Sequence, residues 1–340
     1  MKRKISALAL SLLFALSAIS NAAIYAKTVT VAKSGASFNS PIKAIESINS
    51  ASAESPVLVK IQPGTYDLGT ASLQLKEYVD IEGSGIDKTI ITSSQTNADS
   101  ETCSTGTVVM AMNSSIKNLS VVNIVRKAPV TGLTAGIIFN NVKASAEGIK
   151  VNVGSDTVAA PENYGICSVG TKGNATLNNV NVEVRNNGPA GAVAILADGN
   201  MSITDSKLAA FTMKEGSTHV IDCIYGKKMT GVLFIDKSQA EGTVQDAIGS
   251  NRAIDARDCK ATIVNSTLRL DGGNDNIGVI AVNNPVSIDK SKIFSPGKIL
   301  VNEGNVTVTI SNSVIQGELP QQGVKLLKNT DKNNDPIADR

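Results

Sequence analysis

The side chains best suited to chemistry crowd into one stretch of this sequence. Asp246, Arg252, Asp255, Arg257 and Asp258 lie close together, and His219, Asp222 and Tyr225 precede them by about one repeat of the chain. Carboxylates can act as nucleophile, general acid or general base. A guanidinium can grip the carboxylate of an acidic sugar through paired hydrogen bonds. Asp246, Asp222 and Arg252 therefore form a candidate catalytic set. Asp255, Arg257 and Tyr225, the last beside Lys227 and Lys228, form a candidate binding set. Asp222, Asp246 and Asp255 could also be brought together around calcium. The plain alternative is a group of solvated surface ion pairs, which contribute little. The run Asp271-Gly272-Gly273-Asn274-Asp275 reads as an ordinary loop, and His219, the single histidine, as a surface or packing residue. No metal or other cofactor is expected.

Whatever positions these groups is repetitive. A six-residue phrase recurs: apolar, any residue, usually Asn, Asp or Lys, usually Ser, any residue, apolar. It opens at Ile81, Ile116, Phe139, Leu177, Ile203, Ile235, Ile263, Ile288 and Ile310, at uneven steps of roughly 20 to 40 residues. A short fixed core at a variable step is what stacked coils with loop insertions produce. The apolar ends of the phrase lie five residues apart, so plain alternation would place them on opposite faces of a strand. A corner must lie between them. Asn tolerates left-handed backbone, and Asn and Ser side chains bond nearby backbone, so the central pair supplies that corner. These residues are scaffold and not catalytic candidates.

The rest of the composition agrees. Aromatics make up 3% and Trp is absent. The abundant Val, Ile and Thr suit strands, and Asn, Gly and Ser suit turns. Ser40-Pro41 reads as the start of a helix over about residues 41–53, with Ile42, Ile45 and Ile48 on one face, covering the open end of the stack. Residues 321–340 read as a loose polar tail, with Val324, Leu326 and Leu327 as terminal cover.

Lys2, Arg3 and Lys4, an apolar run over residues 5–19, and small residues up to Ala26 read as a bacterial-type secretory signal over residues 1–26. Its removal takes the formal charge from +2 to −1 (2 − 3). A near-neutral body without a basic stripe argues against a nucleic-acid partner, and no later run approaches membrane-spanning length. The expected destination is the periplasm or the exterior. Cys103, Cys167, Cys223 and Cys259 match no zinc spacing. Export permits disulfides among them, with three possible pairings.

Several stretches resemble a known family. The strand Thr28 to Val31, the helix after Pro41, and the runs Val59-Lys60-Ile61-Gln62-Pro63-Gly64-Thr65-Tyr66 and Val79-Asp80-Ile81-Glu82-Gly83-Ser84-Gly85 resemble the opening of secreted right-handed parallel β-helix proteins. They look most like the pectinesterases. The runs VNVEVRNNGPAGAVAILADG (180–199) and FIDKSQAEGTV (234–244) sharpen the likeness. The resemblance implies a carboxylate nucleophile, a second carboxyl as acid and base, Gln amides at the oxyanion and an orienting Arg. Position by position, the family's first Gln falls on Gly191, its Gln-Asp pair near Thr212 and Met213, and its nucleophile on Gln245. The Arg-bearing segment has no counterpart. A one-residue shift at a bulge would bring Asp246 to the nucleophile's place; unbroken alternation from Val244 to Ile248 would instead turn it inward.

The sequence thus predicts an all-β, single-stranded right-handed parallel β-helix of roughly 10 coils over residues 27–320, pectin lyase-like, with an N-terminal capping helix. The functional expectation is a secreted pectinesterase-like protein without pectinesterase activity, binding an acidic polysaccharide such as pectin or serving as a structural module. The alternative is an active carbohydrate esterase or other polysaccharide-modifying enzyme with a displaced site at Asp222, Asp246, Arg252 and Asp255.

Overall fold

A computed structural model describes residues 25–97, 103–124, 132–155, 157–170, 173–188, 191–213, 216–223, 231–246, 248–303, 306–320 and 322–340. The expected signal segment lies almost wholly outside them. Apart from one antiparallel pair at the C-terminal end, each strand pairs in parallel with the equivalent strand of a neighbouring coil. One wall is a twelve-stranded sheet, and a twenty-stranded sheet makes up the others. The result is an all-β parallel β-helix of about nine turns with one short helix, close to the coil number read from the repeat. Among the described residues no helix is long and apolar enough to cross a membrane.

The apolar residue that opens each phrase lines the bore. Ile203 is in register with Ile235, Ile235 with Ile263, and Ile263 with Ile288. None of the four exceeds 2% exposure. Burying each such side chain contributes about 1.5–3 kcal/mol, which one coil alone cannot gain.

The corner is built as its residue types require. Asp205, Lys237, Asn265, Lys290 and Asn312 all hold φ between 47° and 49°. Each is followed by a buried serine. The backbone N–H of Ser206 donates to Oγ of Ser238, Ser238 to Ser266, Ser266 to Ser291 and Ser291 to Ser313, each at 3.1 Å. Each Oγ in turn donates to the carbonyl two residues before it, at 2.6–2.8 Å. The ladder ends at Asn329, whose Oδ1 accepts from the Ser313 N–H at 2.9 Å. Left-handed backbone costs an L-residue about 1–2 kcal/mol. Two hydrogen bonds per rung, each of about 1 kcal/mol net, offset it.

One copy of the phrase belongs elsewhere. Phe139 pairs with Ser168 on a different wall. The copy in the bore column is Ala146-Glu147-Gly148-Ile149-Lys150-Val151, with Ala146 in register with both Ile116 and Leu177. Asn141 misleads because it too is left-handed, at φ 55°.

Both ends of the stack are covered. The helix Pro41–Glu46 is shorter than the sequence suggests. Ser40 caps it, accepting from the Lys43 N–H at 3.5 Å. Past Glu46, Lys76 takes over the free carbonyls, donating from Nζ to Glu46 at 3.1 Å and to Ile48 at 2.6 Å. Ala44, Ile45 and Ile48 are buried against the first coil. At the far end the pattern continues past Glu318. Strand Val324–Leu327 adds a rung to the twelve-stranded wall, and Asn329–Thr330 pairs antiparallel with Pro336–Ile337. Leu326 and Arg340 exchange N–H···O bonds at 2.8 and 3.2 Å. The polar segment thus occupies an edge that would otherwise invite pairing with another chain.

Candidate functional site

The strands Thr134–Asn140, Asn163–Val169, Ala192–Ala197, Ser217–Asp222, Ser250–Ala256 and Asp275–Ala281 stack as one wall. Register runs through Ile138, Cys167, Leu196, Asp222, Asp255 and Ile280. This column faces away from the bore. Ile138, Cys167 and Leu196 belong with Cys103, Leu133 and Ala135 to a second, smaller apolar cluster, which the Cys103–Cys167 disulfide ties to the wall. A neighbouring column runs through Tyr164, Val193, His219, Arg252 and Ile277. Two carboxylates interrupt one apolar column, and an imidazole and a guanidinium interrupt the next, on the same two rungs.

Strict alternation would put residues three apart on opposite faces. Here Val220 and Ile221 both join the bore core, as do Ala253 and Ile254. That double inward step leaves His219 and Asp222 on one side, with Nδ1 and Oδ2 3.0 Å apart. Arg252 and Asp255 follow the same pattern on the next rung. Arg252 donates to the Asp275 carboxylate, to the Asp275 carbonyl at 2.6 Å and to the Asn251 carbonyl at 3.1 Å. Arg257, just past the strand, sets Nε 3.2 Å from Oδ1 of Asp255.

Asp255 is the unusual member. It is 0% exposed, and neither of its oxygens has a hydrogen-bond donor among the described residues. Burial, reinforced by the charge of Asp222, pushes its pKa up to about 6 against the pull of Arg257, His219 and Arg252. A carboxylate held this way is costly, so its presence in an apolar column marks more than scaffold. Asp198, at the corner beyond Ala192–Ala197, is likewise raised to about 6, chiefly by burial and secondarily by Asp258. Asp258 accepts from the Asn283 side chain at 3.0 Å.

Of the residues singled out in the sequence, Asp222, Arg252, Asp255 and Arg257 come together, and His219 joins them. Asp246 does not. Its strand ends at Val244, and Ile248 is 61% exposed, so the alternation that would have turned Asp246 inward is broken. Asp246 lies half-buried in the turn before Ser250–Ala256. Among the described residues no group of three or more His, Cys, Asp or Glu could hold a metal ion. Tyr225, Lys227 and Lys228 lie outside the described residues. The pectinesterase-equivalent positions do not supply the family's groups: Thr212 is buried, and Gln245 is exposed just past its strand. Asp275, the partner of Arg252, was hidden in what the sequence presents as a plain loop.

This wound stack defines the class: a right-handed parallel β-helix of the pectin lyase-like kind. No family model matches the chain, and no curated protein matches it. Solved structures resemble it. Pectate lyase Pel9A superposes with a TM-score of 0.50 at 14% identity, over 92% of this chain and 79% of that one. The pectin methylesterase from Yersinia enterocolitica gives 0.46 at 13% identity, over 85% and 94%. The pectin methylesterase from carrot gives 0.45 at 12% identity, over 88% and 87%. At such identities the likeness is one of fold, and the fold is shared by polysaccharide-active enzymes.

Proposed function

We propose that this chain is an exported protein that binds an acidic polysaccharide on the outer wall around Arg257, without the ester-cleaving chemistry of pectinesterases. The observation that carries this reading is the pairing of Arg257 with Asp255. The Arg257 side chain is 42% exposed, yet its Nε is buried against a carboxylate that is itself 0% exposed. A half-exposed guanidinium anchored from below is pre-organised to meet a uronate carboxylate, and less rotamer freedom is lost on binding. A polymer ester has no direct route to a carboxylate with no exposed surface, and the groups that pectinesterase chemistry requires are replaced: the amide donors by Gly191 and Thr212, the carboxylates by Met213 and Gln245.

One observation favours a second reading, catalysis by a displaced site. Asp222 and Asp255 are stacked carboxylates, one with its pKa raised to about 6 and the other paired with an imidazole, and such pairs serve acid–base chemistry. The test is co-sedimentation with de-esterified and methyl-esterified polygalacturonate, with methanol release followed in the same samples. The binding reading expects retention on the de-esterified polymer and no methanol. Methanol that disappears in Asp255→Asn would replace it with the catalytic reading.

A further inference from the structure

Behind the carboxylates lies a second chemical pair. Cys223 follows Asp222 directly and turns the other way, joining the apolar lining of the bore. Cys259 opens the strand Cys259–Val264 on the next coil and lines the same bore. They are 2% and 1% exposed. Both thiols are free and buried in the same core cluster, and Cys259 is the neighbour that acts most strongly on Cys223. Backbone holds the two coils together here, because the Cys223 N–H donates to the Asp255 carbonyl at 2.9 Å. The other two cysteines are already joined as Cys103–Cys167, so any second bridge within the chain must link this pair.

We propose that Cys223 and Cys259 form a second disulfide, inside the bore, when the chain folds in an oxidising environment; the occasion for it in the cell rests on the export reading above. The oxidant is an external disulfide. One protein thiolate attacks a donor sulfur and expels the first donor thiolate, leaving a mixed disulfide. The second protein thiolate then attacks the protein sulfur of that bond and expels the other donor thiolate. Two S–H bonds are lost and one S–S bond forms. Two protons pass to solvent or to the expelled thiolates, and two electrons reduce the donor.

The order of events follows from the surroundings. In the finished fold the neighbouring Cys259, burial, and the nearby Asp222 and Asp255 charges all raise the Cys223 thiol well above its ordinary range. Thiolate is therefore scarce and sealed from reagents once the coils have stacked. Closure belongs to folding, and the closed bond is shielded from reductants afterwards. The bridge would join the coil that carries Asp222 to the coil that carries Asp255 from the side opposite the carboxylates.

The test is to refold the full chain in a buffer of oxidised and reduced glutathione, quench with acid, alkylate in denaturant and map the peptides without reduction. The expected result is a linked Cys223–Cys259 peptide pair, a linked Cys103–Cys167 pair and no alkylated cysteine. In Cys259→Ser, Cys223 alone should be alkylated. If Cys223 and Cys259 are both alkylated in the wild-type chain while Cys103 and Cys167 stay linked, or if Cys223 is found joined elsewhere, the proposal is overturned. Should Cys259→Ser fail to fold, the wild-type map decides alone. The oxidant is supplied in vitro, so failure of export would not alter the outcome.

Discussion

Asp222 and Asp255 stand in the same outward column on successive coils, with Cα atoms separated by about one strand spacing, ~4.8 Å. Burial and this neighbour raise the Asp255 pKa to about 6, against about 3.9 in an unfolded chain. Between those values the folded protein holds a proton that the unfolded chain has released. Stability therefore falls as pH rises through that window and is level above it. The effect on unfolding free energy is about 3 kcal/mol. Asp255→Asn should remove most of this slope and raise stability at neutral pH, as measured by urea unfolding across the window. Asp198 works in the same direction, so a smaller slope should remain. An unchanged slope in Asp255→Asn would show that the carboxylate is not held as described.

The serine ladder should be measurable rung by rung. Ser238→Ala removes the acceptor for the Ser206 N–H and the donor to the Asp236 carbonyl. Leaving a buried N–H unsatisfied costs about 1–3 kcal/mol, read as a lower urea midpoint. The exposed Ser287 is the control, and Ser287→Ala should stay within about 0.5 kcal/mol of wild type. Equal effects at the two sites would remove the ladder from the account of stability.

At the corners, backbone conformation decides. Lys290 holds φ 48°, which glycine adopts freely and a β-branched residue does not. Lys290→Gly should match or exceed wild-type stability. Lys290→Val should fall below it by about 1–2 kcal/mol. Thermal unfolding of the two variants checks the sign directly, and equal midpoints would contradict the corner assignment.

The covered end is equally testable. Ile45 is 2% exposed between the helix and the first coil. Ile45→Ala should cost about 2–5 kcal/mol and raise aggregation, since it loosens the cover of an open sheet end. Unfolding and light scattering measured together would detect both; a stable, monodisperse variant would mean that the helix is dispensable.

How far these features could be read in advance differs from residue to residue. The corner was legible because a left-handed position and a bonding hydroxyl leave a chemical signature, seen in Lys237-Ser238 and Asn265-Ser266. The same signature misassigned Phe139 to Ala144, since Asn141 turns a different corner with the same backbone. The gathering of Asp222, Arg252, Asp255 and Arg257 followed from stacking alone. Their facing did not, because Val220-Ile221 and Ala253-Ile254 both step inward twice in succession, which no period-two pattern announces. For Asp246 the alternative of an inward turn falls away, because the strand ends at Val244 and the alternation stops there. The polar stretch after Glu318 hid its role because its pairing is made largely by backbone, as between Leu326 and Arg340.

The most direct test of the binding account is calorimetric titration of de-esterified polygalacturonate into the wild-type protein and into Arg257→Ala at neutral pH. Arg257 is half-exposed and lies outside the buried bore, so the variant should keep the wild-type fold by circular dichroism. The account predicts binding by the wild type and at least about tenfold weaker binding by the variant, a difference of about 1.4 kcal/mol. Equal affinities for the two proteins, or no binding by the wild type, would contradict it.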